Sequence, residues 1–123
     1  MKGIGLDLCE IARFERILDK GDGFLRRYFT QEEQAYLTGR GKTAAQSAAA
    51  MFAAKEAFLK AVGTGIGGGI ALTDVGVFHE ESGCPVYRLT GAAQDAVTRM
   101  GAAQAWLSLS HEAGMAAAVC VVE

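Results

Sequence analysis

The chain is short of paired cysteines, of long apolar runs and of excess charge of either sign, and each shortage removes a class of function. Its three cysteines, Cys9, Cys84 and Cys120, are widely spaced and outside any CxxC or Cys/His pattern, which disfavours a disulfide framework and a structural zinc site. They read as reduced, buried thiols. The apolar stretch from Gly114 to Val122 falls far below the roughly 20 residues a bilayer helix needs, and the first seven residues lack the apolar core of a secretory signal. A soluble, cytoplasmic protein with no membrane partner is the expectation. The pattern GxxxxGK[ST] is missing, so no P-loop cradles a nucleotide here. No linker, low-complexity tract or strong repeat divides the chain, and a single domain over residues 1–123 is expected.

Charge is equally restrained. The net charge is −2, with ten Lys/Arg against eight Asp/Glu in residues 1–60 and two against six in residues 61–123. That balance is too mild for a nucleic-acid binder. It leaves room for a local basic face, drawn from Arg13, Arg16, Lys20, Arg26 and Arg27, that suits a small acidic partner. Half of the residues are apolar, enough for a core in a chain of this size.

What is present reads as an α+β alternation. Lys2 to Cys9 alternates in the strand period, with Ile4, Leu6 and Leu8 on one side and Gly3, Gly5 and Asp7 on the other. Asp7 then lies near a strand end. Ile11, Phe14, Ile17 and Leu18 form a helical stripe over Glu10 to Leu18, stopped by Asp19-Lys20-Gly21-Asp22-Gly23. Phe24 to Phe29 reads as an aromatic-basic connector. Thr30-Gln31-Glu32-Glu33 fits a capping box, with a short helix to about Thr38. The longest helix starts near Thr43 or Ala44 and runs to Val62, with Gly63 as its left-handed cap. Strands follow at Asp74 to Glu80 and Pro85 to Leu89, then a helix from Gly91 to Met100 capped by Thr90. A last hairpin joins Ala105–Ser110 to Met115–Val122 through a turn at His111-Glu112-Ala113-Gly114.

The most informative segment is Phe52-Ala53-Ala54-Lys55-Glu56-Ala57-Phe58-Leu59-Lys60-Ala61-Val62-Gly63-Thr64-Gly65. Glu56 and Lys60 share a helix face, and Lys55 points about 100° away from Glu56. Such a Glu-to-Lys pair in itself stabilises a solvated helix by roughly 0.2–0.5 kcal/mol. Here alanines and phenylalanines surround the charges, and a glycine-rich turn, 63–69, follows at once. A merely solvated face carries further Glu, Gln or Lys instead. One carboxylate can hold a cation and the lysines can approach an anion. Asp7 and Glu56 together suffice for a hard-cation site, because Mg²⁺ takes one or two protein carboxylates and completes its shell with water and phosphate oxygens. His111 sits beside Ser110 in the predicted turn. Taken singly, Asp7 and His111 are ordinary turn residues.

Three blocks in this order, Gly3-Ile4-Gly5-Leu6-Asp7, Phe52 to Gly65, and Leu107-Ser108-Leu109-Ser110-His111, resemble the short bacterial type of 4'-phosphopantetheinyl transferase, the holo-[acyl-carrier-protein] synthase family. The resemblance spans essentially the whole chain. It implies the fold of that family, an antiparallel sheet of hairpins packed on a long central helix, assembled as a homotrimer with coenzyme A at subunit interfaces. It also implies transfer of the 4'-phosphopantetheine arm from coenzyme A to a serine of apo acyl carrier protein, a step of fatty acid biosynthesis that releases adenosine 3',5'-bisphosphate.

By the same resemblance, Asp7 and Glu56 stand at the acidic Mg²⁺ ligand positions, and Lys60 stabilises or protonates the leaving oxygen. The serine proton goes to Glu56 through a water, to a second carboxylate or to a metal-bound water. Lys55, Lys60, Gly63, Thr64, Gly65, Pro85, Ser110 and His111 fall at coenzyme A-binding positions, and Arg13 and Arg16 meet the acidic carrier. Met51 stands where many members carry arginine, and Cys9 where larger members of the superfamily carry another acid. A non-catalytic coenzyme A or carrier-binding module would not need Asp7, Glu56 and Lys60 together. A purely structural oligomer would leave all three blocks unexplained.

Overall fold

The computed structural model describes residues 1–65 and 68–123. Ile66 and Gly67, part of the predicted glycine-rich turn, lie outside the described residues. In chain order the elements are β1 (Gly3–Glu10), α1 (Ile11–Asp19), α2 (Gly23–Tyr28), α3 (Gln31–Thr38), α4 (Ala44–Ala61), β2 (Val75–His79), β3 (Pro85–Leu89), α5 (Gly91–Arg99), β4 (Ala105–Glu112) and β5 (Met115–Val122). Two short 3-10 turns precede α4 and β2, at Gly41–Thr43 and Leu72–Asp74.

α4 is the axis of the fold. Its 18 residues are rich in alanine, and Ala48, Ala49, Met51, Ala53, Ala54, Ala57 and Phe58 are all sealed from solvent. A narrow, apolar helix lets neighbours approach from several sides, and a helix buried nearly all round needs no amphipathic stripe. Its end forms a Schellman motif. The Thr64 N–H donates to the Leu59 carbonyl and the Gly63 N–H to that of Lys60, each at 3.1 Å, with Gly63 at φ +81°.

The main sheet is antiparallel in the order β1-β5-β4, and β2 with β3 forms a separate two-stranded ribbon. One sheet face carries Gly3, Gly5, Asp7 and Cys9 against α4, backed by Ala116, Ala118, Cys120 and Val122 of β5. The other face is apolar yet open: Ile4, Leu6, Leu8 and Trp106 are 56–61% exposed. Register aligns Ile4, Val121 and Trp106 across the three strands.

Five local expectations change. Phe24 to Phe29 is mostly helical, because Phe24 packs on Phe14, Tyr28 and Phe52 with ring centroids 4.7–5.6 Å apart, so tertiary contacts order this segment. Thr90 makes no side-chain cap on α5; its hydroxyl donates to Asp74 Oδ1 at 2.9 Å instead. Strand pairing runs to Glu112↔Met115, so only Ala113 and Gly114 turn, and His111 belongs to β4. Asp7 is likewise within β1, three residues before its end. Of the cysteines, Cys9 and Cys120 are buried as expected and Cys84 is exposed in the β2–β3 turn. The capping box forms in full: Glu33 N–H donates to Thr30 Oγ1 at 3.1 Å and Thr30 N–H to Glu33 Oε1 at 2.8 Å.

Candidate active site

β1 and α4 bring Asp7, Glu56 and Lys60 together, although more than 45 residues separate the first from the others in the chain. Glycine at positions 3 and 5 allows the close approach, since a Cβ on Gly5 would fall on the Ala57 carbonyl oxygen and one on Gly3 on that of Ala61. Asp7, on the same strand face, then projects at the helix turn that carries Glu56 and Lys60. Lys60 Nζ donates to Asp7 Oδ1 and to the Leu6 carbonyl, both at 3.0 Å. The simple intrahelical pair of Glu56 with Lys60 therefore gives way to a strand–helix ion pair.

Asp7 Oδ2 is buried and has no hydrogen-bond partner among the described residues. A buried carboxylate oxygen left without a donor is costly, so this atom is suited to a cation or a proton. Glu56 is close enough to Asp7 for the two carboxylates to influence one another's charge. Burial pushes its pKa up to about 6, the charge and hydrogen bond of Asp7 add to the rise, and Arg13 and Lys60 oppose it. A carboxylate whose proton affinity is raised by burial and by a neighbouring carboxylate marks a site that welcomes positive charge. The donor set is hard oxygen only. Among the described residues no group of three His, Cys, Asp or Glu side chains forms a metal cage, whereas Mg²⁺ commonly takes one or two carboxylates and leaves its other positions to water and phosphate. The residues fit that ion.

Beside Glu56 opens a cleft of about 370 Å³, walled by the aromatic rings of Phe24, Tyr28 and Phe52 and by Ile70 to Thr73, with Arg13 and Arg27 among its lining. The Arg13 guanidinium lies 5.3 Å from the Phe52 ring centroid and 5.8 Å from that of Phe14. Cys9 Sγ points to the Glu10 carbonyl at 3.9 Å, and its thiol pKa is raised chiefly by burial, with Asp7 and Glu56 adding to the rise and the charge of Arg13 opposing it. Arg16 points elsewhere, to Glu10 Oε1 at 3.4 Å in an exposed pair.

The other expected positions lie apart. His111 Nε2 is 3.2 Å from Gln46 Nε2, and Gln46 precedes Glu56 by ten residues of α4, a rise of about 15 Å. Ser110 and His111 line a second cleft of about 220 Å³ with Tyr36, Arg40, Ser47 and His79. There the His79 ring stacks on Tyr36 with centroids 4.2 Å apart, and burial, then the charge of Arg40, lowers its pKa. Pro85 pairs with His79 at the edge of this region. Gly63, Thr64 and Gly65 form the turn just after Lys60.

Lys55 requires a correction. Read from sequence as a phosphate contact, it is wholly buried, and its ammonium donates to Glu33 Oε1 at 2.8 Å, the Leu72 carbonyl at 2.9 Å and the Val75 carbonyl at 3.0 Å. All three protons are used inside the protein. Burial pulls its pKa down and Glu33 holds it up. Sequence reasoning missed Glu33 as its partner, because a capping box already explained that glutamate and nothing links residues 22 positions apart. The aromatic wall Phe24, Tyr28 and Phe52 was also missed; its signal was the aromatic-basic composition of 24–29.

Residues 3–120 match a family pattern described as the 4'-phosphopantetheinyl transferase superfamily. The chain belongs to this superfamily. A holo-[acyl-carrier-protein] synthase of Trichlorobacter lovleyi is 47% identical over 122 residues, covering 98% of this chain and 96% of the relative. One from Treponema denticola is 43% identical over 121 residues, covering 98% and 97%. Among solved structures, the holo-[acyl-carrier-protein] synthase of Neisseria meningitidis superposes with a TM-score of 0.89 at 35% identity, covering 100% of this chain and 98% of that one. The Helicobacter pylori enzyme in complex with coenzyme A superposes at 0.83 with 30% identity, covering 98% and 99%. This phosphopantetheinyl transferase is thus an enzyme with the α+β fold of its relatives. No helix among its described residues is long and apolar enough to cross a membrane.

Proposed function

We propose that this chain transfers 4'-phosphopantetheine from coenzyme A to a serine of apo acyl carrier protein in the cytoplasm, for fatty acid biosynthesis, and that Mg²⁺ supports the reaction. The observation that carries the reading is the convergence of Asp7, Glu56 and Lys60 around a carboxylate oxygen with no partner among the described residues. Asp7 Oδ2 and Glu56 would hold the ion. When bound, Mg²⁺ supplies positive charge against pyrophosphate oxygens and so lowers the barrier to departure of adenosine 3',5'-bisphosphate.

The side chains do the remaining work. Lys60, tethered by Asp7 and the Leu6 carbonyl, holds an ammonium at a fixed place where charge grows on the leaving oxygen, which stabilises the transition state without reorganisation. Ionised at neutral pH and beside the cleft, Glu56 is placed to take the serine proton through a water. Arg13 and Arg16 on α1 supply positive charge for an acidic carrier, and Arg13 also lines the cleft beside Glu56.

Assembly as a homotrimer completes the reading. Ser110, His111 and Pro85 lie away from Glu56 on one protomer, so coenzyme A that touches both groups is expected to bridge two copies. The open apolar face of Ile4, Leu6, Leu8 and Trp106 is the surface that copies would cover, since exposed apolar patches of this kind mark protein contacts. Leu6→Asp should therefore convert the assembly to monomers in sedimentation velocity. An unchanged sedimentation coefficient would remove this face from the interface.

The direct test of function is mass spectrometry of apo acyl carrier protein incubated with coenzyme A, Mg²⁺ and the enzyme. The carrier should gain the phosphopantetheine mass, and chelation of the metal should stop the gain. No added mass with an authentic carrier would retire the transferase reading of this site, and a gain insensitive to chelator would retire the metal.

A further inference from the structure

We infer that the buried Lys55–Glu33 pair is a positioning device that fixes the Ile70–Thr73 wall of the cleft against Glu56. The inference rests on the reading that this cleft receives substrate. Three segments meet at the pair. Lys55 comes from α4, one residue before Glu56; Glu33 comes from the first turn of α3; the third segment is the chain that enters β2. Lys55 holds the carbonyls of Leu72 and Val75, and Glu33 Oε2 accepts the Val77 N–H at 2.8 Å. Side-chain exposure is 0% for Lys55 and 2% for Glu33.

The pair does more than join two charges. Leu72 and Val75 flank the 3-10 turn Leu72–Asp74, which the Asp74 N–H supports from within by donating to the Ala71 carbonyl at 2.9 Å. Held by two carbonyls and one amide, the segment is fixed to α4 and α3, and its Leu72 and Thr73 line the cleft together with Phe52 and Glu56. A buried ion pair is in itself weak support for stability, since well-packed apolar residues serve as well. Here each partner is also tied to backbone groups that an apolar pair would leave unmet. The Lys55 ammonium has no proton left for a phosphate, so it acts through the wall and not on substrate.

The test uses Glu33→Gln, which keeps a side-chain carbonyl for Lys55 and removes the acceptor for Val77, and Lys55→Met, which removes the tether outright. Amide hydrogen exchange at Asp74 and Val77 should quicken in Glu33→Gln, and the KM for coenzyme A or for the carrier should rise about tenfold, because a displaced wall weakens binding of substrate and transition state alike. Its kcat at saturation should stay within about threefold of wild type, Asp7, Glu56 and Lys60 being untouched. Where it folds, Lys55→Met should show the same split in larger measure. Unaltered exchange in Glu33→Gln overturns the proposal. So does wild-type kinetics in Glu33→Gln beside a lost kcat in Lys55→Met, the pattern of a lysine acting on substrate directly. Phe24→Ala, in another part of the cleft lining, separates the two readings. If exchange quickens in Glu33→Gln with no change in KM while Phe24→Ala raises KM, the pair is structural only and the inference falls. If neither variant changes KM, the cleft is not the substrate's site and that assignment falls instead.

Discussion

Glu56→Gln is expected to abolish transfer while making the metal-free protein more stable at pH 8. The loss in kcat should be on the order of 10²–10³, the range seen when a group that stabilises transition-state charge is removed. The gain in stability follows from linkage. Glu56 has its pKa raised from 4.5 to about 6 by burial and by Asp7, so the folded state binds this proton more tightly than the unfolded state does. Stability from that proton is fully present below pH about 4.5 and is lost as pH rises through about 6. At pH 8 the ionised carboxylate therefore weakens the metal-free fold, by at most about 2 kcal/mol for a shift of this size and nearer 1 kcal/mol after solvent screening of a half-buried group.

Glutamine mimics the protonated acid and offers an N–H to Asp7 Oδ2. Melting of metal-free protein should rise by roughly 3–5 °C at pH 8 and by less at pH 4.5. Added Mg²⁺ should raise the melting temperature of wild type and leave that of Glu56→Gln nearly unmoved. A variant that melts lower than wild type at pH 8, or that retains the Mg²⁺ response, would falsify the account of these carboxylates as a strained cation site.

Gly5→Ala is expected to cost more stability than any surface substitution, above about 3 kcal/mol and enough to threaten folding. The added methyl would meet the Ala57 carbonyl oxygen, and the Ala61 nitrogen lies only 2.8 Å from its position. Both obstacles are helix backbone, which cannot swing aside as a side chain does. If the protein survives, β1 must lift from α4, the Asp7–Lys60 distance of 3.0 Å must open, and turnover should fall with it. Urea unfolding provides the measurement, with Gly23→Ala as control. A methyl on Gly23 would meet no atom within 4 Å, and the residue has no positive φ, so its substitution should be neutral or mildly stabilising. A Gly5→Ala midpoint within about 1 kcal/mol of wild type would show that the strand–helix gap has slack.

Periodicity and caps made most of the architecture legible in the sequence. The alternation of residues 3–9, the Thr30/Glu33 box and the Gly63 terminator each act over a few residues, so local chemistry names them. Residues 24–29 were harder, because their helix is held by contacts with Phe14 and Phe52 and not by its own pattern. The alternation of β1 gave its two faces correctly but not their fates. Ile4, Leu6 and Leu8 would ordinarily be assigned inward, whereas the glycine face packs on α4, because only residues without bulk permit that closeness. At the candidate site, Asp7, Glu56 and Lys60 were found by residue type and resemblance, and the fold brings all three to one place. Lys55 was misread because its neighbour in sequence faces the cleft while it faces the interior, a difference of about 100° on the helix.

Strand β1 leaves no position idle. Odd-numbered residues from Gly3 to Cys9 answer to the helix and the reaction centre, and even-numbered ones from Ile4 to Leu8 to the outside. A deletion of one residue ahead of Asp7 that preserved pairing would exchange the two sets at a stroke, driving bulky side chains into a gap made for hydrogen atoms and turning the acid outward. Length, as much as identity, is therefore under constraint in these eight residues, and natural or engineered indels are to be sought at Gly21 to Gly23 and in the Glu81 to Cys84 turn instead.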